Sequence, residues 1–206
     1  LGTPLSDPTE EKSFRRLLHR AIDAKNRHPG MDHTCRFRCG CQDESMLHMI
    51  QCRTSRRVWN KCLDFCERAL GLPRRSYKLE EAIVFNVDVN GEMLNETVRA
   101  YLRHAVRWWY ASMTKVYKEG KIFNVDKIYL QTLEGIRDAG IRYGVQMKRL
   151  YTHRKYTDLT NVAPKEARIR FTNIVSISEA GTYTINATLL NEIATARSAL
   201  QQPTRP

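Results

Sequence analysis

The chain has 206 residues, 42% of them apolar and 27% charged, values in the range of ordinary globular proteins. No run approaches the roughly 18 consecutive apolar residues a membrane span requires, so the expectation is a soluble protein with no membrane insertion. Thirty-four Lys and Arg against 22 Asp and Glu leave a net charge of +12, which draws polyanions to the surface, nucleic acid first among them.

In chain order, residues 7–28 read as a helix. Asp7 can cap it, Pro8 suits its first position, and Phe14, Leu17, Leu18, Ala21 and Ile22 share one face until Pro29-Gly30 ends it. Residues 31–52 show little periodicity but hold four cysteines and two histidines. Residues 54–70 read as a second helix, with Trp59, Cys62, Leu63, Cys66 and Leu70 inward and Gly71 as terminator. Ile83-Val84-Phe85 suggests a strand or buried extended stretch ahead of an Asn90-Gly91 turn.

Residues 93–118 predict the longest helix, its apolar stripe running from Leu94 to Val116 through Trp109. Arg99, Arg103 and Arg107 form a separate basic line, either a solvated face or a contact surface; Trp108 either stacks on a base or packs on a neighbouring helix. A fourth helix is expected over 126–151, inward positions alternating four and three apart as between antiparallel helices. Within 165–185, β-branched residues predict a hairpin, after which Asn186 caps a last helix through Leu200. The fold class expected is mainly α: a helical bundle with an N-terminal zinc-knuckle module and a candidate small β-hairpin near the C-terminus. Two units follow, 1–73 for the N-terminal helix, knuckle and next helix, and 74–206 for the helical body.

The cysteines carry the sharpest signal. All six lie between positions 35 and 66, interrupted by His48 at metal-ligand spacing, a pattern of intracellular metal sites rather than secreted disulfides. Structural zinc takes four thiolate or imidazole ligands as two close pairs. Cys35 with Cys39 supplies one pair; His48 and Cys52, four apart on a helix start, supply the other. Cys41 is an alternative to Cys39, and His33 a further, more remote candidate. Gly40 suits the tight turn such a site needs. Cys62 and Cys66 fall on an apolar helix face and read as core. Four protein ligands leave Zn2+ no open position, so its role is structural.

The run Cys39-Gly-Cys-Gln-Asp-Glu-Ser-Met-Leu-His48-Met-Ile-Gln-Cys52, followed by Arg56-Arg57-Val58-Trp59, resembles the zinc-binding domain after the reverse transcriptase in non-LTR retrotransposon polyproteins. That pattern is a Cys pair, Glu-Ser or Glu-Thr, His-Leu with a Cys four beyond the His, and a Val-Trp on the next helix. Glu44-Ser45, His48-Met49, Cys52 and Val58-Trp59 fit it, within residues 14–66; the Cys39-Gly-Cys41 doublet departs from it and leaves the second ligand open. The resemblance implies a nucleic-acid-handling C-terminal module, or a host protein derived from one.

Chemistry is harder to find. Asp88, Glu119 and Lys121 make a loose nuclease-like triad, but on a turn and a helix end, and no polymerase acid pair occurs, so no enzymatic activity is expected. Binding is the stronger expectation. Arg53, Arg56, Arg57 and Lys61 follow the last ligand and flank Trp59, with Arg74 and Arg75 beyond. Lys148, Arg149, Arg154 and Lys155 form a second patch interleaved with Tyr151 and Tyr156, suited to RNA over DNA. Other subunits of a larger organellar or ribonucleoprotein assembly are the alternative partners. Leu1 is not an initiator, so the native start is expected upstream, and the compartment is expected to be intracellular, nucleus or organelle.

Overall fold

The computed structural model describes residues 5, 12–13, 15–16, 24–30, 32–69, 71, 78–120, 122–152 and 171–201. A 3-10 turn, Lys25–Arg27, precedes helices α1 (Met46–Gln51) and α2 (Arg53–Ala69). A π-helical turn, Glu81–Phe85, leads to the long helices α3 (Glu96–Glu119) and α4 (Val125–Thr152). Strands β1 (Val175–Ile177) and β2 (Tyr183–Ile185) pair antiparallel, Ser176 opposite Thr184, before α5 (Ala187–Gln201). The architecture is mainly α with one small hairpin near the C-terminus, as expected. The boundary expected at 73 and the hairpin's first residues, 165–170, lie outside the described residues.

Helix ends follow local chemistry. The Asn95 side chain accepts the Thr97 N–H at 2.8 Å to start α3, and Gly120, at φ 63°, stops it. Asn186 caps α5 in the same way, accepting from Thr188 N–H at 2.8 Å. Helix α4 sits centrally, packed against α2, α3, α5 and both strands. Its glycines allow the hairpin this approach: a Cβ at Gly144 would lie 2.4 Å from the Tyr183 ring, and one at Gly140 3.0 Å from Ile174.

The core that positions the N-terminal cysteine segment is built on two indoles. Trp59 and Trp109 are fully buried with ring centroids 5.5 Å apart. Each N–H has a partner: Trp59 donates to Ile50 C=O and Trp109 to Ser55 Oγ, both at 2.9 Å. Rings of this size bury on the order of 200 Å2, worth roughly 5 kcal/mol each before entropy is counted. The pair locks α1 onto α2 and α2 onto α3. Cys62 and Cys66 lie in this core at 1% exposure each, as expected.

Three expectations need correction, one of them of length alone: the helix expected over 93–118 as the longest is α3 with 24 residues, whereas α4 has 28. Of the helix expected over 7–28, Lys12, Ser13, Arg15 and Arg16 are helical, but Ala24 is extended (φ −95°, ψ 137°) and only a 3-10 turn follows. The Lys25 N–H donates to Glu44 Oε1 at 3.2 Å, a tertiary acceptor in place of a helical one. The remainder of that segment lies outside the described residues.

Ile83-Val84-Phe85 is neither strand nor extended but part of the π-helical turn. A strand would point Ile83 and Phe85 the same way, yet Ile83 is 1% and Phe85 65% exposed, and Ala82 beside Ile83 is buried too. The Asn90-Gly91 turn is present, closing a hairpin-like loop through the Val87–Met93 bridge.

Of the two alternatives left open for the Arg99, Arg103, Arg107 line, the solvated face is not the one observed. Residues 100–106 are all buried, because α3 is covered on more than one side. Arg99 pairs with Glu96 at 3.4 Å, Arg103 is 3% exposed, and the Arg107 guanidinium lies over the Trp108 ring at 4.9 Å. Trp108 itself packs beside Gly135 of α4.

Candidate metal centre

Four side chains from two sequence clusters converge beside the junction of α1 and α2. The ligand atoms of Cys35, Cys39, His48 and Cys52 all lie within 4.8 Å of one another. Cys35 Sγ and Cys52 Sγ are 3.8 Å apart, and Cys39 Sγ is 3.4 Å from His48 Nε2. A tetrahedral ion with bonds of about 2.3 Å to sulfur and about 2.0 Å to nitrogen requires separations of about 3.8 Å and about 3.5 Å respectively. The donor set is thus compatible with zinc, and closure of the widest pair by about 1 Å would complete it. Among the described residues this is the one group of His, Cys, Asp or Glu so gathered.

The structure separates the two candidates for the second ligand. Cys39 belongs to the group, whereas Cys41 turns away, its thiol 3.6 Å from Asp43 C=O. His33 is outside it as well, with Nε2 at 3.2 Å from His28 C=O.

Local backbone chemistry explains the convergence. Arg38 N–H donates to Cys35 C=O at 2.9 Å, folding Cys35–Cys39 into a knuckle. Closing it puts Arg38 in the left-handed region (φ 53°), at a cost of about 1 kcal/mol, and Gly40 there as well (φ 89°) at almost none. Cross-links from Cys35 N–H to Cys41 C=O and from Glu44 N–H to His33 C=O, both 2.9 Å, hold the loop's two arms together. Ser45 then caps α1 by accepting His48 N–H at 3.0 Å, which sets His48 in the first turn. Cys52 follows one turn later, at the start of α2.

Glu44 is the site's concealed support. Its carboxylate is fully buried and accepts Arg36 N–H at 2.6 Å, Arg36 Nε–H at 2.8 Å and Lys25 N–H at 3.2 Å. One side chain therefore ties the 3-10 turn, the knuckle and the start of α1 together. Ligand type and spacing in the sequence do not reveal this role. The available signal was an acid beside a helix-capping Ser, with Arg36 inside the cysteine pair.

The thiols are electrostatically prepared. A hydrogen bond from the Cys35 thiol, helped by the backbone N–H groups of Thr54 and Ser55, lowers Cys52 to about 5 against the opposing effect of burial. The same hydrogen bond, with burial, pushes Cys35 upward. The direction at Cys52 favours the thiolate, the form in which a cysteine ligates a soft metal ion.

The basic residues divide. Arg53, Arg56 and Arg57 are exposed on the first turns of α2, directly after Cys52. Lys61 is committed instead to Asp126 at 2.6 Å and to the Tyr129 ring at 5.4 Å. Lys148 and Arg149 are exposed near the end of α4, while Arg74, Arg75, Arg154 and Lys155 lie outside the described residues. Of the nuclease-like set, the buried Asp88 accepts the backbone N–H groups of Asn90 and Glu92 at 2.9 and 3.0 Å, holding a turn; Glu119 ends α3, and Lys121 is outside the described residues. No family model, curated protein or solved structure matches the chain.

Proposed function

We propose that this protein is a non-catalytic, zinc-stabilised module that binds nucleic acid, RNA in preference to DNA. Three thiolates and one imidazole are the donor set of structural zinc, and with all four positions held by protein no water is activated. Bound there, the ion would supply folding energy on the order of 10 kcal/mol to a loop too short for a core of its own. The chain's own residues do the rest. Glu44 and Ser45 orient the ligand-bearing turns, and the Trp59–Trp109 pair anchors them to the bundle.

The observation that carries the binding reading is the placement of Arg53, Arg56 and Arg57. They are exposed at i, i+3 and i+4 on a helix whose start is fixed by the last ligand. Guanidinium groups on so rigid a base can meet a row of phosphates with little ordering cost. The net charge of +12 and the resemblance to retrotransposon zinc-binding domains point the same way.

Filter-binding titrations of the zinc-loaded chain against RNA, single-stranded DNA and duplex DNA over a range of salt test it. Binding should weaken steeply with salt, and Arg53→Ala with Arg56→Ala and Arg57→Ala should flatten that dependence by about two to three phosphate contacts. Absence of binding, or a salt-independent signal, would refute it. The second reading is a structural subunit of a large assembly, favoured by Phe85, Val89 and Met93, all exposed within residues 85–93. It would be preferred if Phe85→Ser with Met93→Ser abolished association with other proteins while nucleic acid stayed unbound.

A further inference from the structure

A groove of about 550 Å3 lies between the metal knuckle and the α3–α4 connection. One wall is the knuckle turn from Cys35 to Arg38; the other carries Ile122 and Phe123. Its volume falls within the range of small-ligand sites. Phe37 and Phe123 meet edge to face at 4.6 Å on its apolar side, and Ile122 is the most exposed large apolar residue described, at 91%.

The cations around it are unevenly engaged. Arg36 is neutralised by Glu44, and the Lys25 ammonium donates to Thr34 C=O at 2.8 Å. The Asp32 carboxylate is occupied by Thr34, whose N–H and hydroxyl it accepts at 2.9 and 2.6 Å. Arg38 is exposed, and its guanidinium makes no hydrogen bond or ion pair among the described residues, its backbone N–H alone being engaged, with Cys35 C=O. Its backbone is held at φ 53°, so a side chain stands at the groove's rim where glycine would be cheaper. Next to Thr54 of the groove lies Arg53, on the basic face of α2.

Apolar and aromatic surface flanked by free guanidinium is the pairing that single strands require, since an unstacked base needs a hydrophobic seat and its flanking phosphates need charge. A duplex keeps its bases stacked and would leave the groove empty. We propose that this groove receives one unpaired base of a single-stranded nucleic acid, seated against Ile122 and Phe123, with Arg38 on the adjacent phosphate. This rests on the nucleic-acid reading above and specifies which form of nucleic acid is bound.

The test uses the zinc-loaded full chain and a fluorescent mixed-sequence RNA strand of about 12 nucleotides, alone, annealed to its complement, and with abasic positions replacing its central bases. Arg38→Gly removes the guanidinium while relieving the backbone, so its zinc content and melting temperature should match or exceed the parent's. Its affinity for the strand should fall about fivefold and its salt slope by about 0.7, the contribution of one phosphate on a single strand. Ile122→Asp, at an exposed position, should weaken the strand roughly tenfold and the duplex hardly at all, and the abasic strand should bind the parent protein roughly tenfold more weakly. If both variants and the abasic strand bind as their parents do while the triple arginine variant of α2 loses binding, the groove proposal falls and the general reading survives. If the parent protein binds the duplex but no strand, the groove proposal alone falls; if it binds neither, both fall. Uridine monophosphate competing as well as the strand would overturn the proposal in favour of a free-nucleotide site.

Discussion

Glu44→Gln should weaken zinc binding about 100-fold although Glu44 touches no metal ligand atom. The substitution keeps the side chain's shape but turns a carboxylate into an amide whose NH2 faces the donors of Arg36 and Lys25. The carboxylate is 0% and the Arg36 side chain 6% exposed, so the change strands a guanidinium with almost no water to replace its partner. Removing one member of a buried pair costs about 3–5 kcal/mol, and the groove beside Arg36 argues for the lower end, about 3 kcal/mol. Because metal binding and ordering of the knuckle are one event, that cost is subtracted from the binding free energy, and 1.4 kcal/mol is about a factor of ten. Competition against a chromophoric chelator reads the affinity directly. Adding Arg36→Met should restore part of the loss, since no buried charge is then left unpaired. A loss below about fivefold, the most an exposed ion pair would give, would refute the claim that Glu44 organises the centre.

Other outcomes follow from the same geometry. Cys39→Ser should abolish stoichiometric zinc, measured by elemental analysis, while Cys41→Ser retains it; equal loss in both would mean the two thiols exchange roles. Burial pushes Cys62 from the ordinary 9.0 to about 12, so its neutral thiol supports the fold fully below 9.0, and that support is lost as pH rises towards about 12. With zinc bound, Cys62 and Cys66 should therefore resist thiol reagents at neutral pH until the chain unfolds, and rapid labelling under native conditions would contradict their burial. Gly144→Ala gains up to about 1 kcal/mol of helix propensity but meets the Tyr183 ring at 2.4 Å, so thermal denaturation should show a net loss of about 1–3 kcal/mol. A raised melting temperature would mean the hairpin does not press on α4.

The ligand set was legible because metal coordination is written in residue type and spacing. Cys35, His48 and Cys52 could be named from the text alone, and so could the amphipathic helices, whose periodicity is local. The choice between Cys39 and Cys41 was not, since both lie within the reach of one loop. It turned on the left-handed backbone at Arg38 and Gly40, and on the hydrogen bond from Cys35 N–H to Cys41 C=O. Glu44 was visible only as part of a motif, because its partners at Lys25 and Arg36 come from separate turns.

What the sequence determined by itself was a mainly helical chain, a late hairpin and a Cys3His constellation, all set by interactions between residues near in the chain. Tertiary structure alone decided which further faces of those helices, beyond the apolar stripe, are kept from water. Arg103 became core because α3 is covered on more than one side, and the Ile83 run coiled into a π-helical turn because burial there claims adjacent residues rather than alternate ones. Periodicity marks one buried stripe per helix. It does not reveal how many neighbours will close over the rest, because that depends on contacts between residues far apart in the sequence.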